Sequence, residues 1–153
     1  MAIRNLINWH DPMFRKKSRV VEKFDERLWT LLDDMKDTLE RVNVYGCASV
    51  HLGILRRVVV VVEKDGVIEL VNPSITQVSA ETQKVLEGSI APGAPSGYVE
   101  RPAAVTISAS DRSGNPITVI GEGFLAATLC HEIDHLDGIL FAEKFCSLTP
   151  GTI

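Results

Sequence analysis

Hydrophobic and polar positions change period along this chain, and each change marks a different element. Between Asp25 and Val42 the apolar residues fall at Leu28, Leu31, Leu32, Met35, Leu39 and Val42. Steps of three and four place them on one stripe of an α-helix, with Asp25 as N-cap and Phe24 set to staple to Trp29. Over Val58–Glu63 the periodicity disappears into a β-branched run. Such a run predicts a central strand covered on both faces. Asp65-Gly66 then predicts a tight hairpin turn into a strand over 67–71. Asn72-Pro73 should end that strand, with 75–78 extending the sheet after a bulge. A second hairpin is predicted from strands over 104–108 and 117–120, joined by the polar loop 111–115. The glycine- and proline-rich stretch 91–102 separates the two sheet regions. Helical spacing returns over 124–136, where Phe124, Leu125, Leu129, Ile133 and Leu136 can bury one side and Gly138 terminates. Several strands with one buried and one surface helix predict an α+β fold.

Composition narrows this picture without changing it. With 153 residues, 45% hydrophobic and 24% charged, the chain is expected to form one domain over 1–153. A net charge of −4 and the absence of a long basic run argue against nucleic acid as a partner. The aliphatic stretch 58–62 is far shorter than the roughly 20 residues a membrane-spanning helix needs. The opening Met1-Ala2-Ile3-Arg4 and the residues after it carry no apolar segment of signal-peptide type, so no membrane partner is expected. Cys47, Cys130 and Cys146 contain no CxxC pair, which points to a reducing, cytoplasmic setting. Cys130, Trp9 and Trp29 read as packing residues and His10 as a loop residue.

The chemistry concentrates in His131-Glu132-Ile133-Asp134-His135. Residues four apart on a helix emerge on one face one turn apart, so both imidazoles can ligate one metal ion. Glu132 follows the first of them and can serve as general base. A surface helix with incidental histidines fits poorly, because this segment is among the most apolar in the chain and unpartnered polar groups there would be costly. The helix supplies only two ligands, and a third must come from elsewhere.

The run His131 to Gly138, preceded by Gly123-Phe124-Leu125-Ala126, resembles the third motif of the peptide deformylase family. The resemblance extends over nearly the whole chain: Asp11-Pro12, Arg15 and Val20-Val21 near the start, then Leu70-Val71-Asn72-Pro73 and Val99-Glu100-Arg101-Pro102. It implies mixed or antiparallel sheets wrapped around the motif helix, one divalent metal ion (iron, zinc or nickel), and removal of the formyl group from peptides. The implied substrates are N-formylated or related N-acylated peptides, including nascent chains at the ribosome.

Two departures fall on the implied site. The family's second motif reads Glu-Gly-Cys-Leu-Ser, its cysteine ligating the metal, where this chain has Glu87-Gly88-Ser89-Ile90-Ala91. A serine hydroxyl stays protonated near neutral pH and is a poorer ligand than a thiolate. The first motif, Gly-x-Gly-x-Ala-Ala-x-Gln, is matched by Val44-Tyr45-Gly46-Cys47-Ala48-Ser49-Val50-His51, so His51 stands where the glutamine donates to the formyl oxygen. Ser96 also replaces an arginine that many members carry. Two readings follow. In one, His51 joins His131 and His135 as a metal ligand, with Ser89 beside them; in the other, the metal is lost and the protein binds peptides or inhibitors without catalysis. On the catalytic reading Glu132 is the base, His51 and the Ile90 N–H serve the oxyanion, and Gly46, Glu87 and Gly88 contact substrate.

Overall fold

The computed structural model describes residues 5–148; the expectation made for Met1-Ala2-Ile3-Arg4 lies outside them. Helix α1 spans Glu26–Val42 and begins where expected, the Asp25 side chain accepting from the Leu28 N–H. Leu28, Leu31, Leu32, Met35 and Leu39 are buried, whereas Val42 at the last turn is exposed. Trp29, expected in the core, is a surface residue whose indole N–H donates to the Arg112 carbonyl at 2.7 Å. It follows Leu28 by about 100° of helical rotation and so leaves the buried stripe.

The strands are, in chain order, β1 (Gly46–Ala48), β2 (Val58–Glu63), β3 (Gly66–Val78), β4 (Thr82–Glu87), β5 (Gly97–Pro102), β6 (Ala104–Ser110), β7 (Pro116–Glu122) and β8 (Phe145–Leu148). They form one sheet in the order β1-β2-β3-β6-β7 and another in the order β4-β5-β8. Every pairing within them is antiparallel. Of the two arrangements the sequence left open, mixed or antiparallel, the antiparallel one is adopted. Parallel pairing is limited, among the described residues, to the isolated bridge Arg19–Arg56.

Strand β2 lies between β1 and β3, with Val58 to Val61 buried. Val58 and Val60 face the core beneath α1, and Val59 and Val61 face the core around the second helix. This two-sided cover is why the run is uniformly apolar. The first hairpin pairs Glu63 with Gly66 around Lys64-Asp65. Asn72-Pro73 does not end β3 as expected; it bends it. The strand pairs with β2 up to Val71 and passes to β6 through register shifts, with Asn72 at a left-handed φ of 51°. Pro73 has no N–H to donate, and the bend falls where one partner strand is exchanged for the next.

The second hairpin, β6 to β7, forms as predicted. The stretch 91–102 is not wholly a separator, since its second half is β5. Helix α2 (Gly123–Leu136) buries Ala126, Leu129, Cys130, Ile133 and Leu136 and touches both sheets. Phe124 in its first turn, expected to be buried, is about half exposed at 52%.

Candidate active site

Helix α2 presents His131 and Glu132 to a cavity of about 440 Å³ between the two sheets, and His135, one turn on from His131, is fully buried beside them. The His131 and His135 ring centroids lie 5.0 Å apart, as one helical turn dictates. All three side chains are buried. Strand β1 runs against this helix closely enough that a side chain at Gly46 would not fit. A Cβ there would lie 2.8 Å from Thr128 Cγ2 and 3.0 Å from Glu132 Cγ. Glycine is therefore required by the close approach of strand and helix.

Beyond β1 the chain turns through a 3₁₀ helix, Ser49–Leu52, which carries His51 into the same space. The Ser49 hydroxyl closes this turn by donating to the Ile54 carbonyl at 2.8 Å. The His51 ring stands 4.7 Å from that of His135. Its Nδ1 lies 3.1 Å from the Ala48 carbonyl oxygen and 3.2 Å from the Ala48 nitrogen, and its Nε2 lies 3.4 Å from Ser89 Oγ. Ser89 follows β4 and accepts from the Ala91 N–H at 3.1 Å. Gly88 and Ile90 line the cavity beside it.

Glu87, expected to contact substrate, lines the cavity, but its carboxylate is buried and fully engaged by the protein. Arg101 donates to it twice, at 2.7 and 2.8 Å, and its Oε1 is 2.7 Å from His131 Nδ1. Arg101 also donates to Asp134 at 2.8 Å, and Lys144 reaches the same carboxylate at 3.1 Å. Burial alone would raise the Glu87 pKa, but the hydrogen bonds from Arg101 and His131 outweigh it and hold the carboxyl below its ordinary value. The ionised carboxylate thus accepts a hydrogen bond from His131 Nδ1–H, and in the neutral imidazole Nε2 is then the free lone pair. Sequence reasoning gave Arg101 no role. The signal was the strand alternation, which puts Arg101 on the inward face with Val99, where a guanidinium needs carboxylate partners.

Burial, opposed by His131, pushes Glu132 up to about 7. Burial, then His131, drives His51 down to about 3. His135 falls well below its ordinary value for the same first reason, followed by the two other imidazoles. Cys47 and Cys130 are buried, and burial raises both thiols, so neither offers a thiolate near neutral pH.

A metal ion fits this donor set. Both ring nitrogens of His135 and Oε1 of Glu132 are buried without a hydrogen-bond partner. Unsatisfied polar atoms this deep are costly unless something absent from the polypeptide satisfies them. Ligand atoms of His51, Glu132 and His135 all lie within 4.8 Å of one another, and the His131 ring adjoins them. At the cavity mouth Tyr45 and Phe124 meet edge to face at 4.9 Å, with Leu86 nearby, an apolar rim the sequence did not reveal.

Two antiparallel sheets around a helix bearing His-Glu-x-x-His, with a buried ligand cluster beside a largely apolar cavity, define a metallohydrolase. The family model described as polypeptide deformylase matches residues 3–150. The peptide deformylase of Caldicellulosiruptor bescii is 51% identical over 144 residues, covering 94% of this chain and 86% of that protein. That of Alkaliphilus metalliredigens is 46% identical over 144 residues, covering 94% and 97%. The crystal structure of a peptide deformylase from Legionella pneumophila superposes with a TM-score of 0.88 at 37% identity, covering 97% of this chain and 88% of that one. The chain belongs to the peptide deformylase family.

Proposed function

We propose that this chain, as one domain over 1–153, removes the N-formyl group from peptides by metal-dependent amide hydrolysis. The observation that carries this reading is the unpartnered, buried set of His135 nitrogens and Glu132 Oε1, with Glu132 itself lining the cavity. His131 and His135 would hold one divalent ion, with a further donor from His51 or Ser89; iron, zinc and nickel all accept imidazole. When bound, such an ion supplies Lewis-acid activation of water and of the amide carbonyl.

The remaining work falls to the polypeptide. Glu132, with a pKa near 7, takes a proton at Oε1 from the attacking water and delivers it to the leaving amine. The backbone N–H of Ile90 is offered to the developing oxyanion. Gly46 and Gly88 bring bare backbone to the cavity wall, and the rim of Tyr45, Leu86 and Phe124 receives the apolar side chain next to the formyl group. Nascent N-formylated chains in the cytoplasm are the substrates that go with this chemistry, and related N-acyl peptides could enter the same cavity. No helix among the described residues is long and apolar enough to cross a membrane.

A formyl-peptide hydrolysis assay on wild type and Glu132→Gln tests the reading. The variant should keep its metal and fold while turnover falls by about 10²–10⁴-fold, the usual contribution of a general base. A wild type that binds formyl-peptides without hydrolysing them would instead support the non-catalytic binding protein.

A further inference from the structure

We infer that His51 takes the place of a thiolate as the third protein ligand, so that this chain builds a centre of three imidazoles: His51, His131 and His135. The inference rests on the deformylase reading and concerns which residues make its metal site. Histidines that ligate a metal almost always donate their other ring N–H to a carboxylate or a backbone carbonyl, which fixes both ring orientation and tautomer. Two of these histidines already have that arrangement. His131 Nδ1 faces Glu87 Oε1 at 2.7 Å, and His51 Nδ1 faces the Ala48 carbonyl at 3.1 Å. The Glu87 contact leaves Nε2 of His131 as its donor atom; His51 Nδ1 also lies 3.2 Å from the Ala48 nitrogen, and the tautomer that donates to the Ala48 carbonyl is the one that frees Nε2 for a metal.

The direction of His51 Nε2 is the second argument. It lies 3.4 Å from Ser89 Oγ, so the imidazole reaches the position from which a residue at 89 would address the metal. The His51 ring is also nearer to His135, at 4.7 Å, than the two helix-borne histidines are to each other, at 5.0 Å. Ser89 is the weaker competitor. Its hydroxyl is neutral near pH 7 and already accepts from the Ala91 N–H at 3.1 Å. Both substitutions then have one cause: the 3₁₀ turn after β1 supplies the donor that the residue after Gly88 does not. Without thiolate charge the ion keeps its full positive charge, and the centre has no sulfur to oxidise.

The test uses purified full-length protein loaded with Zn²⁺ or Co²⁺, with metal affinity measured by chelator competition. Ser89→Ala should bind as wild type does. His51→Gln should lose more than the roughly 10–100-fold that removal of an outer-shell partner costs. His51→Gln combined with Ser89→Cys should recover affinity and show thiolate-to-cobalt charge-transfer absorption that wild type lacks. Because His51 is buried and its variant could misfold, the wild-type Co²⁺ protein is also examined by paramagnetic NMR. Three hyperfine-shifted, exchangeable imidazole protons are expected, and two would overturn the inference. Wild-type affinity in His51→Gln, with loss in His131→Ala, would overturn it while leaving the deformylase reading intact. Wild-type affinity in His131→Ala, or no metal bound by wild type, would overturn both.

Discussion

Glu87 illustrates how single residues act in this site through the groups they hold in place. Its carboxylate neutralises the buried Arg101 guanidinium and fixes the His131 tautomer at once. Glu87→Gln leaves that cation short of a partner, and breaking a buried pair in this way costs about 3–5 kcal/mol. Urea unfolding of both proteins measures the loss, which should depend on pH. The folded-state pKa of Glu87 lies below its ordinary value. The stability it contributes is therefore fully present above the unfolded value and is lost as pH falls through the folded one. The gap between wild type and Glu87→Gln should be widest near pH 7 and should close on acidification. A gap that widened in acid would show that Glu87 is not held as a carboxylate. Ser89, Gly46 and His131 were readable one at a time in the sequence because motif spacing names them. The Glu87–Arg101–Asp134 network was not, because it joins three elements that the sequence presents separately.

At the scale of elements, α2 is anchored at both ends. Its first turn follows β7, and its last turn is crossed by the segment near Arg15, where Ser18 donates its N–H to the Leu136 carbonyl at 2.8 Å. Gly138 ends the helix at a φ of +73°, and a Cβ there would lie 2.6 Å from the Arg15 carbonyl oxygen. Gly138→Ala therefore combines an unfavourable left-handed residue with a backbone clash, for a cost of roughly 1–3 kcal/mol. Thermal unfolding should show a lower Tm, and metal affinity should fall as His135 is displaced with the helix end. An unchanged Tm would mean that the crossing segment yields freely. The helices and both hairpins were legible from period and turn chemistry. Strands β1 and β8 are short, and β4 and β5 flank a glycine- and proline-rich loop; all are defined mainly by their partners, and local pattern carries little of that information.

For the molecule as a whole, the second sheet brings β4, its following loop and Arg101 of β5 to the face of α2, while the first sheet brings β1 and His51. A metal ion bound there would tie these elements together and bind the folded chain in preference to the unfolded one. At a free ion concentration 100 times Kd this stabilises by about 2.7 kcal/mol. Chelation should then lower Tm by roughly 5–10 °C, at the 2–4 °C per kcal/mol usual for a chain of this size. Calorimetry with and without a chelator measures this, and a Tm indifferent to chelation would argue against a resident ion.

The sequence by itself determined the α+β class, the helix that carries His131, Glu132 and His135, and the family, because these rest on local period and on residues close together in the chain. It also singled out His51 and Ser89 as candidate residues of the metal site. That His51 Nε2 lies beside Ser89, which partners occupy Glu87 and how Tyr45 meets Phe124 were decided only by tertiary structure. Those facts depend on side chains from β1, β4, β5 and α2 meeting within a few ångströms, and sheet pairing sets such distances between residues far apart in the chain.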